Sequence, residues 1–234
     1  MEIKLTIKPK SPIIIEGFPG LGLIGTISTE YLIKHLKAKP IGKISSKDIM
    51  PMIAIHDGKV VQPLEVYYVK SKNLVIVHVL TDIRGLEWEI SEALLELYQM
   101  LKATEIISLE GIMGQGAESK AYYFSNESKR SKKFEKVNAK PLKEGIVMGV
   151  TAALLMKEHK MNTTGIFVET KSKLPDSRSA AKIIELLDQY LNLKVDYKPL
   201  EKAAAEFENK LKGYVEGMKQ AAKKTDKKAV DYLG

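Results

Sequence analysis

Ile13-Ile14-Ile15-Glu16-Gly17-Phe18-Pro19-Gly20-Leu21-Gly22-Leu23-Ile24-Gly25 is the stretch that decides the fold class. It opens with a continuous β-branched run, the pattern of a strand buried on both faces rather than one alternating between core and water. Glycines break that strand. Beyond them Leu23, Ile27, Tyr31 and His35 recur at helical spacing, which predicts a helix over 23–37. A strand that runs through glycines straight into a helix is the corner of an α/β domain.

The alternation continues outward. Residues 1–5 alternate like a strand, and further strands are predicted over 40–45, 52–56 and 59–68, with a turn at Asp57-Gly58. A buried strand over 74–80 precedes a helix over 87–102, and a strand over 105–109 enters Gly111. A small-residue helix over 145–159 and a strand over 164–169 follow. Pro175-Asp176-Ser177 then opens a helix through Tyr190, with Asp176 or Ser177 as its N-cap. This order predicts one three-layer α/β domain over 1–197 with a central mixed, mainly parallel sheet. Residues 111–144, with glycines, serines and a faint alternation at Tyr122-Tyr123-Phe124, read as a long mobile loop holding one hairpin.

The C-terminal part has its own pattern. Leu200, Ala204, Phe207, Leu211, Tyr214, Met218 and Ala221 recur at steps of four and three, an a/d seam on a helix predicted over 198–222. That seam packs on its own domain or docks on a second subunit, and Phe207, Leu211, Tyr214 and Met218 are the candidate oligomerisation residues. A Lys-rich flexible tail over 223–234 ends in Val230, Tyr232, Leu233 and Gly234, an apolar tip suited to docking in a partner.

Composition excludes several classes. The chain has 234 residues, 44% of them hydrophobic, and no Cys, so it has neither disulfide, thiol nucleophile nor Cys-ligated zinc. No apolar run reaches the roughly 18 residues of a membrane span, and no signal-peptide core opens the chain, so a cytoplasmic location is expected. The net charge of +8 invites a nucleic-acid reading. Much of the excess is local, however: residues 127–144 carry seven Lys/Arg against three Glu. Such runs are usually solvated surface.

Gly20, Gly22 and Gly25 satisfy the dinucleotide pattern G-x-G-x-x-G, and Asp48 stands about where an acidic ribose ligand is expected. Gly17, Pro19, Gly20, Gly22 and Gly25 equally serve a corner where helix and sheet pack closely without a ligand. No Lys-Ser/Thr follows them, so the loop is not a Walker nucleotide loop. His35, His56, His78 and His159 lack metal-ligand spacing, and no G-x-S-x-G elbow presents a serine. Asp82, Arg84, Glu87 and Glu89 gather after a strand, but helix N-termini collect acids through the macrodipole. Neither a catalytic residue, a metal nor a cofactor is expected.

The stretch Ile14 to Gly25 closely resembles the opening signature of the proteasome assembly chaperone family, in its archaeal branch. Glu110-Gly111, Gly145-Ile146-Val147-Met148-Gly149 and Leu174-Pro175-Asp176-Ser177-Arg178-Ser179-Ala180-Ala181 agree with it in order, as does Leu193-Lys194-Val195-Asp196 before the terminal helix. The resemblance implies a nucleoside-phosphorylase-like layout without that active site. It also implies a homo-oligomer that engages the α-subunits of the 20S proteasome, in assembly or activation. The family's docking tail is hydrophobic–tyrosine–any residue. Here Tyr232 is third from the end and Asp231 is not hydrophobic, so either Tyr232 binds in shifted register or the chain relies on another surface or on another partner, such as another assembly factor. The alternative reading is a nucleotide- or nucleoside-binding enzyme using the Gly20–Gly25 corner, and a nucleic-acid binder using 127–144 trails both.

Overall fold

The computed structural model describes residues 1–56, 58–114, 119–137, 139–157, 160–170 and 174–200. In chain order its elements are β1 (Glu2–Leu5), β2 (Ile13–Gly17), α1 (Ile24–His35), β3 (Lys39–Ser45), β4 (Ala54–His56), β5 (Lys59–Val61), β6 (Leu64–Val69) and β7 (Leu74–Val79). There follow α2 (Glu87–Leu101), β8 (Glu105–Met113), β9 (Ala121–Ser125), α3 (Ser128–Phe134), β10 (Lys140–Pro141), α4 (Gly149–Leu155), β11 (Thr163–Thr170) and α5 (Ser177–Leu191). One sheet has the order β1-β3-β6-β7-β2-β8-β11-β9-β10, and β4 and β5 pair separately as a hairpin. The strand carrying Ile13-Ile14-Ile15 is thus the central one.

The sheet is mixed. At its centre β7, β2, β8 and β11 run parallel. Antiparallel pairings of β6, β3 and β1 flank them on one side, and β9 on the other. Helices cover both faces, so the central strands bury alternate side chains in two separate layers. Ile15, Ile76 and Ile107 face the layer shared with α1, α5 and Phe134 of α3. Ile14, Val75, Val77 and Ile106 face the layer shared with α2 and α4. This two-sided burial is the physical reason the central strands are apolar without alternation.

Several local expectations change. Residues 111–144 are not one long loop: β8 extends to Met113, and β9, α3 and β10 follow. Aromatic stacking and a buried ion pair order this stretch. Phe134 stacks between Tyr123 and Tyr190, with ring centroids 4.6 and 4.2 Å away. Arg130 places Nη1 2.5 Å from Oε2 of fully buried Glu105. The helix predicted over 145–159 begins only at Gly149, whose φ of 75° interrupts the chain. Ahead of it Ile146 and Met148 stand 89% and 77% exposed. The segment read as one strand over 59–68 is two, because β5 leaves the main sheet to pair with β4.

Asp176 caps α5, accepting from the Ser179 amide at 3.0 Å. Residues 198–200 are helical and Leu200 is buried, while 201–222 and the tail 223–234 lie outside the described residues. Among the described residues no helix is long and apolar enough to cross a membrane.

Candidate functional site

The glycine corner stands where β2 ends, at the carboxyl edge of the parallel strands. Gly17 closes β2, and Phe18 is buried beyond it. A 3-10 turn at Leu21–Leu23, with Gly22 at φ 66°, carries the chain into α1. Three backbones touch there. A Cβ on Gly17 would fall 2.3 Å from the Gly25 carbonyl oxygen. One on Gly25 would fall 2.6 Å from the carbonyl oxygen of Leu109 in β8, and one on Gly111 2.2 Å from that of Leu21. The residues that lead into α5 pack against this corner. The Asp176 amide donates to the Gly22 carbonyl at 2.9 Å, and a Cβ on Gly22 would lie 3.3 Å from both Asp176 and Thr170 side chains. Asp176 itself is held by the Thr170 and Ser179 hydroxyls, at 2.6 and 2.8 Å.

Asp48 is not part of this corner. It follows β3, and β6 and β7 stand between β3 and β2. A dinucleotide fold needs its second strand beside the first. Here β2 has β7 and β8 as neighbours instead. Asp48 is exposed and accepts from the Ser46 hydroxyl at 2.9 Å.

Two buried carboxyls lie behind the glycines, and the sequence reading missed both. Glu16 is fully buried on β2. Ser108 donates to its Oε1, and its Oε2 has no hydrogen-bond partner among the described residues. Burial pushes the Glu16 carboxyl up, and the neighbouring charge of Glu110 adds to the effect. Glu110, within β8, is pushed up to about 7 by burial, against the hydrogen bond that Thr151 of α4 donates at 2.7 Å. Glu110 also faces the corner: a Cβ on Gly20 would lie 3.3 Å from its Oε2. Like charges so placed do not both ionise at neutral pH. A charged residue inside a β-branched run, as Glu16 is, was the available signal.

The raised Glu110 value fixes a pH dependence. The folded state holds this proton up to about pH 7 and the unfolded chain only to its ordinary 4.5. Stability from this group is therefore full below pH 4.5 and is lost as pH rises to 7. Glu110→Gln keeps an acceptor for Thr151 and removes the loss. The variant is expected to be more stable than the parent by about 3 kcal/mol at pH 8, and close to it at pH 4. Urea denaturation at the two pH values measures the difference. An equal offset at both would show that the Glu110 proton plays no part.

The other sequence candidates are scattered. Arg84 pairs with Asp82, its Nε 2.7 Å from Oδ2, and both are exposed. His78 is buried, with Nδ1 2.9 Å from the Thr29 hydroxyl and Nε2 3.3 Å from Glu30 Oε2. Burial holds His78 below the usual histidine range, against the pull of Glu30. Among the described residues no group of three or more His, Asp or Glu could hold a metal ion. Phe207, Leu211, Tyr214 and Met218, and the tail residues Val230, Tyr232, Leu233 and Gly234, lie outside the described residues.

The profile of the PAC2 family matches residues 14–215. A Methanocaldococcus jannaschii protein is 29% identical over 235 residues, covering 98% of this chain and 96% of the relative. The crystal structure of Pyrococcus furiosus PbaA, described as an archaeal homolog of proteasome-assembly chaperone, superposes with a TM-score of 0.84 at 29% identity, over 94% of this chain and 100% of that one. Pyrococcus furiosus PbaB, described as an archaeal proteasome activator, shares the fold with a TM-score of 0.74 at 24% identity, over 91% of this chain and 98% of that one. With its central strand, glycine corner and α5 cap all inside the matched region, the chain belongs to the PAC2 family and is a homologue of archaeal proteasome-assembly chaperone proteins.

Proposed function

We propose that this protein is a homo-oligomer that binds 20S proteasome α-subunits, in assembly or activation, with no chemistry of its own. The observation that carries the reading is the end-to-end similarity to PbaA, over 94% of this chain and 100% of that one. The packing of the corner supports it. Where a nucleotide-binding enzyme keeps its glycine loop open to phosphate, here the loop faces Asp176, Thr170 and Leu109. Gly17, Pro19, Gly20, Gly22 and Gly25 thus serve a helix–sheet joint. The contacts with partners fall to surfaces and to the C-terminal part, with Val230, Tyr232, Leu233 and Gly234 as the docking tip. A pull-down of α-subunits from native extract tests the partner. Recovery of none, with or without the last six residues, would remove the proteasome from the reading.

The oligomer has its own test. Phe207, Leu211, Tyr214 and Met218 form the a/d seam. Each apolar side chain buried between subunits contributes about 1.5–3 kcal/mol. Phe207→Lys with Leu211→Lys is expected to shift the light-scattering mass toward one chain. A mass equal to one chain for the unmodified protein at micromolar concentration would rule out the homo-oligomer.

A further inference from the structure

Opposite faces of this molecule carry opposite charge in matching patterns. On α2, Ile90, Leu94 and Leu97 pack inward, while Trp88, Glu89, Glu92, Glu96 and Gln99 are exposed. Carboxylates at 89, 92 and 96 follow the three- and four-residue steps that align side chains along one helix face. They line a groove of about 350 Å³ together with Met1 and Leu95. Lys157 occupies one of them, its Nζ 2.6 Å from Glu92 Oε1 and 5.4 Å from the centre of the Trp88 ring. On and just after α3, Phe134 and Arg130 are held inward and Glu135 is exposed, as are Lys129, Lys132, Lys133 and Lys136. Their steps of three, one and three give an ammonium row about as long as the carboxylate row.

These two faces cannot meet within one chain. The inward side chains of α2 belong to one core layer and Phe134 to the other, so the sheet stands between them. We propose that the lysine face of α3 in one copy docks on the carboxylate face of α2 in a second copy. The inference rests on the homo-oligomer reading above and assigns it a surface. Different patches meet, so the contact is heterologous and runs head to tail, closing into a ring or extending as a filament. Exposed ion pairs are individually weak, so the charge rows set orientation and partner choice while the apolar part of the surface, with Trp88 beside it, supplies contact area.

Light scattering of the full-length chain tests this with two sets of variants. Glu89→Lys with Glu96→Lys reverses the α2 row and leaves the Lys157–Glu92 pair intact. Lys129→Glu, Lys132→Glu and Lys136→Glu together reverse the α3 row. Each set alone is expected to weaken self-association by about tenfold or more, and raising the salt concentration should weaken the parent in the same direction. Mixing the two sets makes every contact between unlike copies complementary, so the mixture is expected to regain mass that neither has alone. Unchanged mass in both sets, from an oligomeric parent, would overturn the α2–α3 contact and leave the oligomer standing. Loss in both without recovery on mixing would overturn it as well, since damage to the fold gives that result. Loss only in the α2 set would assign the groove to another basic segment, such as the Lys-rich stretch 223–228. A parent of one-chain mass would remove the homo-oligomer reading itself.

Discussion

Gly25→Ala is expected to cost about 3 kcal/mol of stability and to lower the melting temperature by about 10 °C. Inside a helix this substitution ordinarily helps, by roughly 1 kcal/mol, because alanine loses less backbone entropy than glycine. Here the new Cβ would stand 2.6 Å from the Leu109 carbonyl oxygen and 2.9 Å from the Gly17 Cα. Both are backbone atoms of strands in the centre of the sheet, so neither can yield by a side-chain rotation. A net loss therefore measures the close approach of α1 to β2 and β8. Gly145→Ala is the control, since its Cβ would meet only Leu142, at the ordinary distance of 3.5 Å. That variant is expected to stay within about 0.5 kcal/mol of the parent. Calorimetry with NAD, ATP and nucleosides completes the test, with no binding tighter than about millimolar expected. A Gly25→Ala protein that melts like the parent but has lost a micromolar nucleotide affinity would reinstate the enzyme.

The central strand, the corner and α5 were legible because local chemistry dictates them. Three successive isoleucines fit only a strand covered on both faces, and Pro175-Asp176-Ser177 supplies a helix start with its cap. What local pattern does not hold is which strands become neighbours. Asp48 lies at a plausible distance along the chain from Gly20, yet β6 and β7 intervene in space, and only the sheet order shows it. The stretch 111–144 misled for a related reason. Arg130 reads as one cation in a basic run, but its partner Glu105 is 25 residues upstream. Phe134 likewise finds its stacking partner Tyr190 on a distant helix. At 145–149 the small-residue pattern suited a helix, but the chain becomes helical only from Gly149, whose backbone lies in the left-handed region. Glu16 and Glu110 meet only once β2 and β8 pair in register. Most of what sequence reading lost was long-range pairing, the information that a periodic pattern cannot carry.

Tyr232→Ala is expected to weaken binding to proteasome α-subunits by about thirtyfold or more. The tip Val230, Tyr232, Leu233 and Gly234 follows a run rich in Lys, and the apolar residues are confined to its end. A segment with so few apolar positions gains little from packing on its own domain, so its ordering entropy is better repaid in a partner's groove. A buried aromatic anchor commonly supplies about 2 kcal/mol or more, which is the thirtyfold. Asp231, standing where the family's docking tail has a hydrophobic residue, sets a second expectation. Asp231→Leu should tighten binding if the tail enters in the family's manner, and should not if Tyr232 sits in shifted register. Surface-plasmon titration of the α-ring with the parent, Tyr232→Ala, Asp231→Leu and a chain ending at Lys228 separates these cases. Equal affinity for the parent, Tyr232→Ala and the shortened chain would make the tail an ordinary terminus. The contact would then pass to the folded surface, where Ile146 and Met148, exposed ahead of α4, are the apolar side chains to replace next.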